Sequence, residues 1–213
     1  WIELSTTSTD IAPNAPAHGK PETTVGAALR DPEWNRIGAF PTDDHVRMAL
    51  FTATNKIGVV ELNRPEDIEW NARDRAGRAR LYVTFTKMES KTVLDAQGMV
   101  YSAEAHDAIK EPRIDATGSI FMLDEANPAD PAASKGFTFA MVWRGTKGRG
   151  IYDAAAPDNL MIDAEGGVWF GTDGNPIVNR HASDAYYYLD LDPAHRAGAP
   201  DIVYPTYGLA MRF

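Results

Sequence analysis

Two stretches of the chain repeat one pattern, and that repeat constrains the fold more than any other feature. In the first, Pro65-Glu-Asp-Ile68 leads through Gly77 into Leu81-Tyr-Val-Thr84. In the second, Pro157-Asp-Asn-Leu160 leads through Gly166-Gly167 into Val168-Trp-Phe-Gly171. β-branched and aromatic residues suit pleated strands, and glycine supplies the positive φ that a tight hairpin needs. A third strand over Ala185 to Leu191 turns the second unit into a meander. Strand pairs of this kind, repeated with decorated connections, read as blades of a β-propeller. A blade is a four-stranded sheet, and a closed ring needs at least about four of them. The expected fold is therefore mainly β: an incomplete β-propeller of two to three blades, with long loops and one or two helices.

The remaining segments fit around these units. Further strands are predicted over Arg80 to Thr86, Ser119 to Leu123, Phe137 to Trp143, Asn159 to Asp163 and Val168 to Thr172. The segment from Asp124 to Lys135 reads as a loop. Pro41 to Lys56 predicts a helix, capped by Thr42 or Asp43, with Asp44 in its first turn. Val46, Ala49, Leu50 and Ala53 fall at helical spacing, and Gly58 follows the end. Residues 1–37, rich in Thr, Pro, Asn and Ala, predict a loop-rich segment or insertion. Residues 38–213 predict a partial propeller domain, truncated at both ends: the chain starts at Trp1 with no signal-peptide pattern, and its last residues, Tyr207 to Phe213, read as a strand.

Composition narrows the chemistry. The chain of 213 residues has no cysteine, which excludes disulfide scaffolds, thiol nucleophiles and cysteine-ligated zinc. A net charge of −9 argues against a nucleic-acid partner and fits either a solubilising surface or carboxylates gathered to hold hard cations. No apolar run is long enough to span a membrane. There is no nucleophile elbow and no phosphate-binding Walker loop, and Gly145 to Gly150 reads as an ordinary loop. His18, His45, His106, His181 and His195 show no ligand spacing.

The acidic pairs carry the chemical expectation. In a propeller the loops entering the first strand of each blade project onto one face. Glu66 with Asp67, and Asp158 with Asn159, would then converge at one mouth, where carboxylate and amide oxygens suit Ca²⁺. Asp173, at the exit of the next strand, is a looser candidate. Arg64 shares the loop of Glu66, and its planar fork matches phosphate-type oxygens in two places. The competing reading is that acidic residues before a strand are turn formers and Arg64 makes a surface ion pair.

At these residues the chain resembles the PhoX-type alkaline phosphatases. Asn63-Arg-Pro-Glu-Asp-Ile-Glu-Trp70, preceded by a helix, is similar to their Arg-Pro-Glu segment. Pro157-Asp-Asn-Leu160 followed by Val168-Trp-Phe-Gly-Thr-Asp-Gly174, Ala185-Tyr-Tyr-Tyr188 and Tyr207 to Phe213 resemble their later blades. The resemblance covers most of residues 38–213. It implies an exported bacterial enzyme, periplasmic or secreted and monomeric, that hydrolyses small phosphate esters at a site holding Ca²⁺ and, in the complete protein, Fe³⁺. By position it makes Arg64 the phosphate contact, Glu66 a catalytic metal-binding carboxylate, and Asp158, Asn159 and Asp173 further metal ligands. The family's iron site uses a cysteine, and this chain departs from the pattern in having none. A calcium-dependent propeller lactonase or esterase, and a non-catalytic secreted binding module with residues 1–37 and 124–135 as its rim, are the alternatives.

Overall fold

The computed structural model describes residues 1–59, 64–86, 117–145, 154–173 and 184–191, and the backbone of 211–212. The chain divides into two compact units, Trp1–Glu61 and Leu62–Phe213.

The first unit is built on three short helices: α1 (Val25–Arg30), α2 (Asp43–Met48) and α3 (Leu50–Lys56). Thr24 caps α1, its hydroxyl accepting the Ala27 N–H at 3.2 Å. Val25, Ala28 and Leu29 of α1 pack with Ala12, Ala15, Trp34, Phe40, Val46, Ala53 and Ile57 into one apolar cluster. Residues 1–37 thus share a core with the helices that follow them, and the contact boundary falls at Glu61 rather than at residue 37.

The single helix expected over Pro41 to Lys56 is two helices, broken at Ala49 (φ −141°, ψ 53°). Thr42 stands at the N-cap as predicted, but without a side-chain cap bond, and the other candidate, Asp43, binds elsewhere. The Asp43 carboxylate accepts both the N–H and the hydroxyl of Thr6, each at 2.7 Å, which holds its pKa below the usual carboxylate range. The break turns Leu50 out to solvent although its spacing predicted burial. Lys56, at the end of α3, is fully buried. Its ammonium donates to the carbonyls of Asp31 (2.6 Å), Trp34 (3.3 Å), Gly38 (3.2 Å) and Ile37. Burial pushes its pKa down, opposed by the charges of Asp31 and Glu33.

The second unit is mainly β-structure in its described residues, with one short 3-10 turn at Pro131–Ala133. One sheet runs β1 (Pro65–Asn71), β2 (Arg80–Phe85), β3 (Ser119–Glu125) and β4 (Phe137–Arg144). The other runs β5 (Pro157–Ile162), β6 (Val168–Thr172), β7 (Ala185–Leu189) and β8 (Met211–Arg212). Each is an antiparallel four-stranded meander in chain order, as the blade reading requires. The fold is mainly β, and two sheets are the blades of an incomplete propeller. β8 confirms a strand in the expected terminal segment, whose other residues lie outside those described.

Side-chain alternation decides how the sheets meet. Tyr82, Ile120 and Trp143 from one face of the first sheet pack with Leu160, Val168, Phe170, Ala185, Tyr187 and Leu189 of the second. The opposite face of the first sheet carries a separate cluster of Val83, Phe85 and Phe121. Asp124, expected in a loop, lies in β3 and is buried against Arg78 and Arg80. In the β5–β6 hairpin only Gly166 has positive φ (+83°).

Candidate active site

The two sheets enter their first strands in the same unusual way. Arg64 (φ 50°) precedes Pro65, and Ala156 (φ 56°) precedes Pro157. Left-handed backbone is uncommon outside glycine, and a following proline pushes its neighbour toward extended conformations. Strain of this kind costs about 1–3 kcal/mol per residue and is concentrated where geometry serves function. The ladder register then slips between Pro65 and Ile68, and again between Pro157 and Leu160. Each irregularity holds one pair of oxygen-bearing side chains, Glu66-Asp67 in the first and Asp158-Asn159 in the second. Each entrance is closed by an equivalent bond, Thr86 N–H to Arg64 O at 3.3 Å and Asp173 N–H to Ala156 O at 2.9 Å. The pairings Pro65–Phe85 and Pro157–Thr172 place Thr86 over Asp173, one residue from the match read in the sequence. Bulges at strand ends bend the chain and re-aim side chains.

The charged side chains at these entrances share one field. The Arg64 guanidinium donates through Nε (3.2 Å) and Nη2 (3.1 Å) to Glu66 Oε1. Both side chains are partly exposed, and exposed pairs of this kind contribute little to stability. Asp158 has its pKa raised, first by burial and then by the charges of Glu66, Asp173 and Asp67; Arg64 opposes the shift. Arg64, Glu66, Asp158 and Asp173 are therefore electrostatic neighbours, gathered from two sheets. Asn159 and Asp173 are exposed. Among the described residues, no group of three or more His, Asp or Glu side chains is placed to hold a metal ion by itself.

Asp67 departs from its expected role facing a cation. Its Oδ1 accepts the Ile68 N–H at 2.8 Å, and its Oδ2 accepts the Leu160 N–H at 2.7 Å. A carboxylate serving two backbone donors is a bracket between β1 and β5. Of the five histidines, His18 stacks at a tilt on Trp34 and His45 pairs with Thr42, both in the first unit. His106, His181, His195 and residues 146–150 lie outside the described residues.

Sequence reasoning missed the polar interior. Thr84 is fully buried; its Oγ1 accepts the Asp67 N–H (3.0 Å) and donates to Asp158 O (2.5 Å). Thr86 donates to Pro157 O at 3.1 Å. At the far end of β1, Asn71 Nδ2 donates to Gly166 O at 2.8 Å and Arg73 to Ala164 O at 2.6 Å. There Asp74 accepts from Tyr82 and Arg80, and Asp124 accepts from Arg78 and Arg80. A polar residue alternating among apolar ones, as Thr84 does between Val83 and Phe85, is the signal that could have found this network. Two clefts, of about 460 Å³ beside Asp74, Arg75 and Tyr188 and about 400 Å³ beside Trp70, Arg73 and Asp163, also lie at this far end.

Comparison with known proteins places this geometry in context. The sequence model of a family described as alkaline phosphatase PhoX matches residues 1–190. The match includes the first 37 residues, which the motif resemblance left aside. Among curated proteins, none matches the chain. A solved structure, Pseudomonas fluorescens PhoX in complex with vanadate, a transition state analogue, is similar with a TM-score of 0.52 and 20% identity. The similarity covers 73% of this chain and 27% of that one, so the chain spans little more than a quarter of its relative's length. At that identity the likeness concerns the fold. The family match extends over most of the sequence, and the chain belongs to the alkaline phosphatase PhoX family.

Proposed function

We propose that the chain carries part of the active site of a metal-dependent phosphomonoester hydrolase, with the site at the paired strand entrances. The observation that carries this reading is the Arg64–Glu66 pair on a strained, bulged entrance, electrostatically coupled to Asp158 on the equivalent entrance of the next sheet. Family membership and the vanadate bound by the Pseudomonas fluorescens relative support it.

The donor chemistry fits Ca²⁺ in part. Carboxylates of Glu66, Asp158 and Asp173 and the amide oxygen of Asn159 are hard oxygen donors, but a calcium ion takes six to eight oxygens. Ligands from elsewhere in the protein complete such a site. Iron bound through a cysteine does not fit this chain, which has none. When bound, a divalent cation would neutralise phosphate charge and lower the pKa of a water. Arg64 would leave Glu66 to present its fork to the equatorial phosphate oxygens, whose charge grows toward the transition state. Glu66 would thereby be freed for the cation. Asp158, whose ionisation is opposed by its neighbours, would gain from any cation that relieves the repulsion.

The natural substrate class is then a small phosphate ester, and the protein is an exported, periplasmic or secreted monomer. Among the described residues no helix is long and apolar enough to cross a membrane. The test is hydrolysis of a chromogenic phosphomonoester by the intact protein. Activity should vanish in chelator and return with calcium. Activity unchanged by chelation, or hydrolysis of a lactone and no phosphate ester, would overturn the reading.

A further inference from the structure

We propose that Asp67 and Thr84 are positioning residues that lock the two acid-bearing entrances together and so set the spacing of Glu66 and Asp158 for a divalent cation. The inference rests on the reading of these entrances as a metal-binding phosphatase site and goes beyond it in naming what holds the site.

The geometry is a closed circuit. Asp67 spans the sheets through its carboxylate, one oxygen to its own strand at Ile68 and the other to Leu160 in β5. Thr84, on the neighbouring strand β2, accepts the Asp67 N–H and donates to the Asp158 carbonyl. Asp67 immediately follows Glu66, and Leu160 lies two residues after Asp158. Each acidic side chain thus stands next to a backbone group tied to the same two residues. Glu66 and Asp158 repel one another, and bulged strands alone would let them separate; the circuit opposes that movement. Two oxygens serve two N–H groups, so an asparagine at 67 would leave one backbone donor facing an NH₂ group. Valine at 84 keeps the shape of threonine and removes both hydrogen bonds.

Calorimetric titration of the intact protein with Ca²⁺ tests this, beside circular dichroism and thermal unfolding in chelator. T84V should stay folded and bind Ca²⁺ about tenfold or more weakly, as removal of residues orienting metal ligands generally does. T84S, which keeps the hydroxyl, should bind within about twofold of wild type, where loss of a supporting group costs at least about tenfold. If T84V does not fold, D67N carries the same expectation. Wild-type affinity in folded T84V or D67N would overturn the proposal while leaving the metal-site reading intact. Absence of Ca²⁺ binding by the wild-type protein would overturn both.

Discussion

At the scale of single residues, the like charges at the two strand entrances show in pH dependence. Asp158 is more easily protonated in the folded protein than in the unfolded chain, because burial and the charges of Glu66, Asp173 and Asp67 oppose its ionisation. Its ionised form therefore weakens the fold at neutral pH, and the handicap fades once the pH falls below the ordinary aspartate pKa of about 4. In chelator, D158N should raise the melting temperature at pH 7, with the gain disappearing near pH 3.5 in scanning calorimetry. On the proposed metal site, calcium should reverse the order, because the variant would forfeit a ligand. Lys56 shows the opposite economy: one buried cation lies within hydrogen-bond reach of four carbonyls, two of which, those of Asp31 and Trp34, also accept a backbone N–H. Lys56→Met should cost about 3 kcal/mol or more in urea unfolding, since it strands buried polar groups.

At the scale of elements, turns and bulges separate what pattern can reveal from what it cannot. Strand spacing was legible because alternation between solvent, core and neighbouring sheet follows period two. Val168–Thr172 has the expected bounds; β2, β3, β4 and β7 shift by one or two residues at one end, and β5 shifts at both. The broken helix was not legible. Asp43, in its first turn, is committed to Thr6, distant in sequence, and local spacing carries no record of that bond. The entrances were legible in composition alone: the polar pairs were visible, but which member binds backbone depends on the bulge. Asp67 was therefore grouped with Glu66, although its carboxylate binds backbone.

The two glycine turns give a test at this scale. Gly166 combines φ +83° with a space where an added Cβ would lie 2.0 Å from Arg73 O, while Gly77 (φ +76°) has nothing within 4 Å. G77A should cost about 1 kcal/mol, the ordinary penalty of left-handed backbone. G166A should cost more than about 2 kcal/mol, because the contact is with rigid backbone and the Asn71 bond to Gly166 O must move as well. Parallel urea melts of the two variants would separate strain from crowding.

At the scale of the whole molecule, the described sheets are held to each other at both ends of their first strands. Asp67, Thr84 and Thr86 tie the entrance end, and Asn71 and Arg73 tie the far end. Apolar packing of Tyr82, Trp143 and Phe170 lies between the sheets. This double fastening explains how two strained entrances, one exposed at Arg64 and one buried at Ala156, can keep charged groups from separate sheets within one field. The repeat made the sheets predictable, but the fastening was hidden because it runs between residues distant in sequence, from 71 positions for Thr86 and Pro157 to 95 for Asn71 and Gly166. The same logic limits the site: the charges gathered here are those of two sheets, and a calcium shell asks for more oxygens than they offer.

The central claim, that the Arg64 entrance receives a phosphoryl group, is tested most directly by kcat/KM for a phosphomonoester in Arg64→Lys. Lysine keeps the charge and loses the planar fork, so the account predicts a fall of about a hundredfold with calcium binding retained. Wild-type kcat/KM in the folded variant would contradict it.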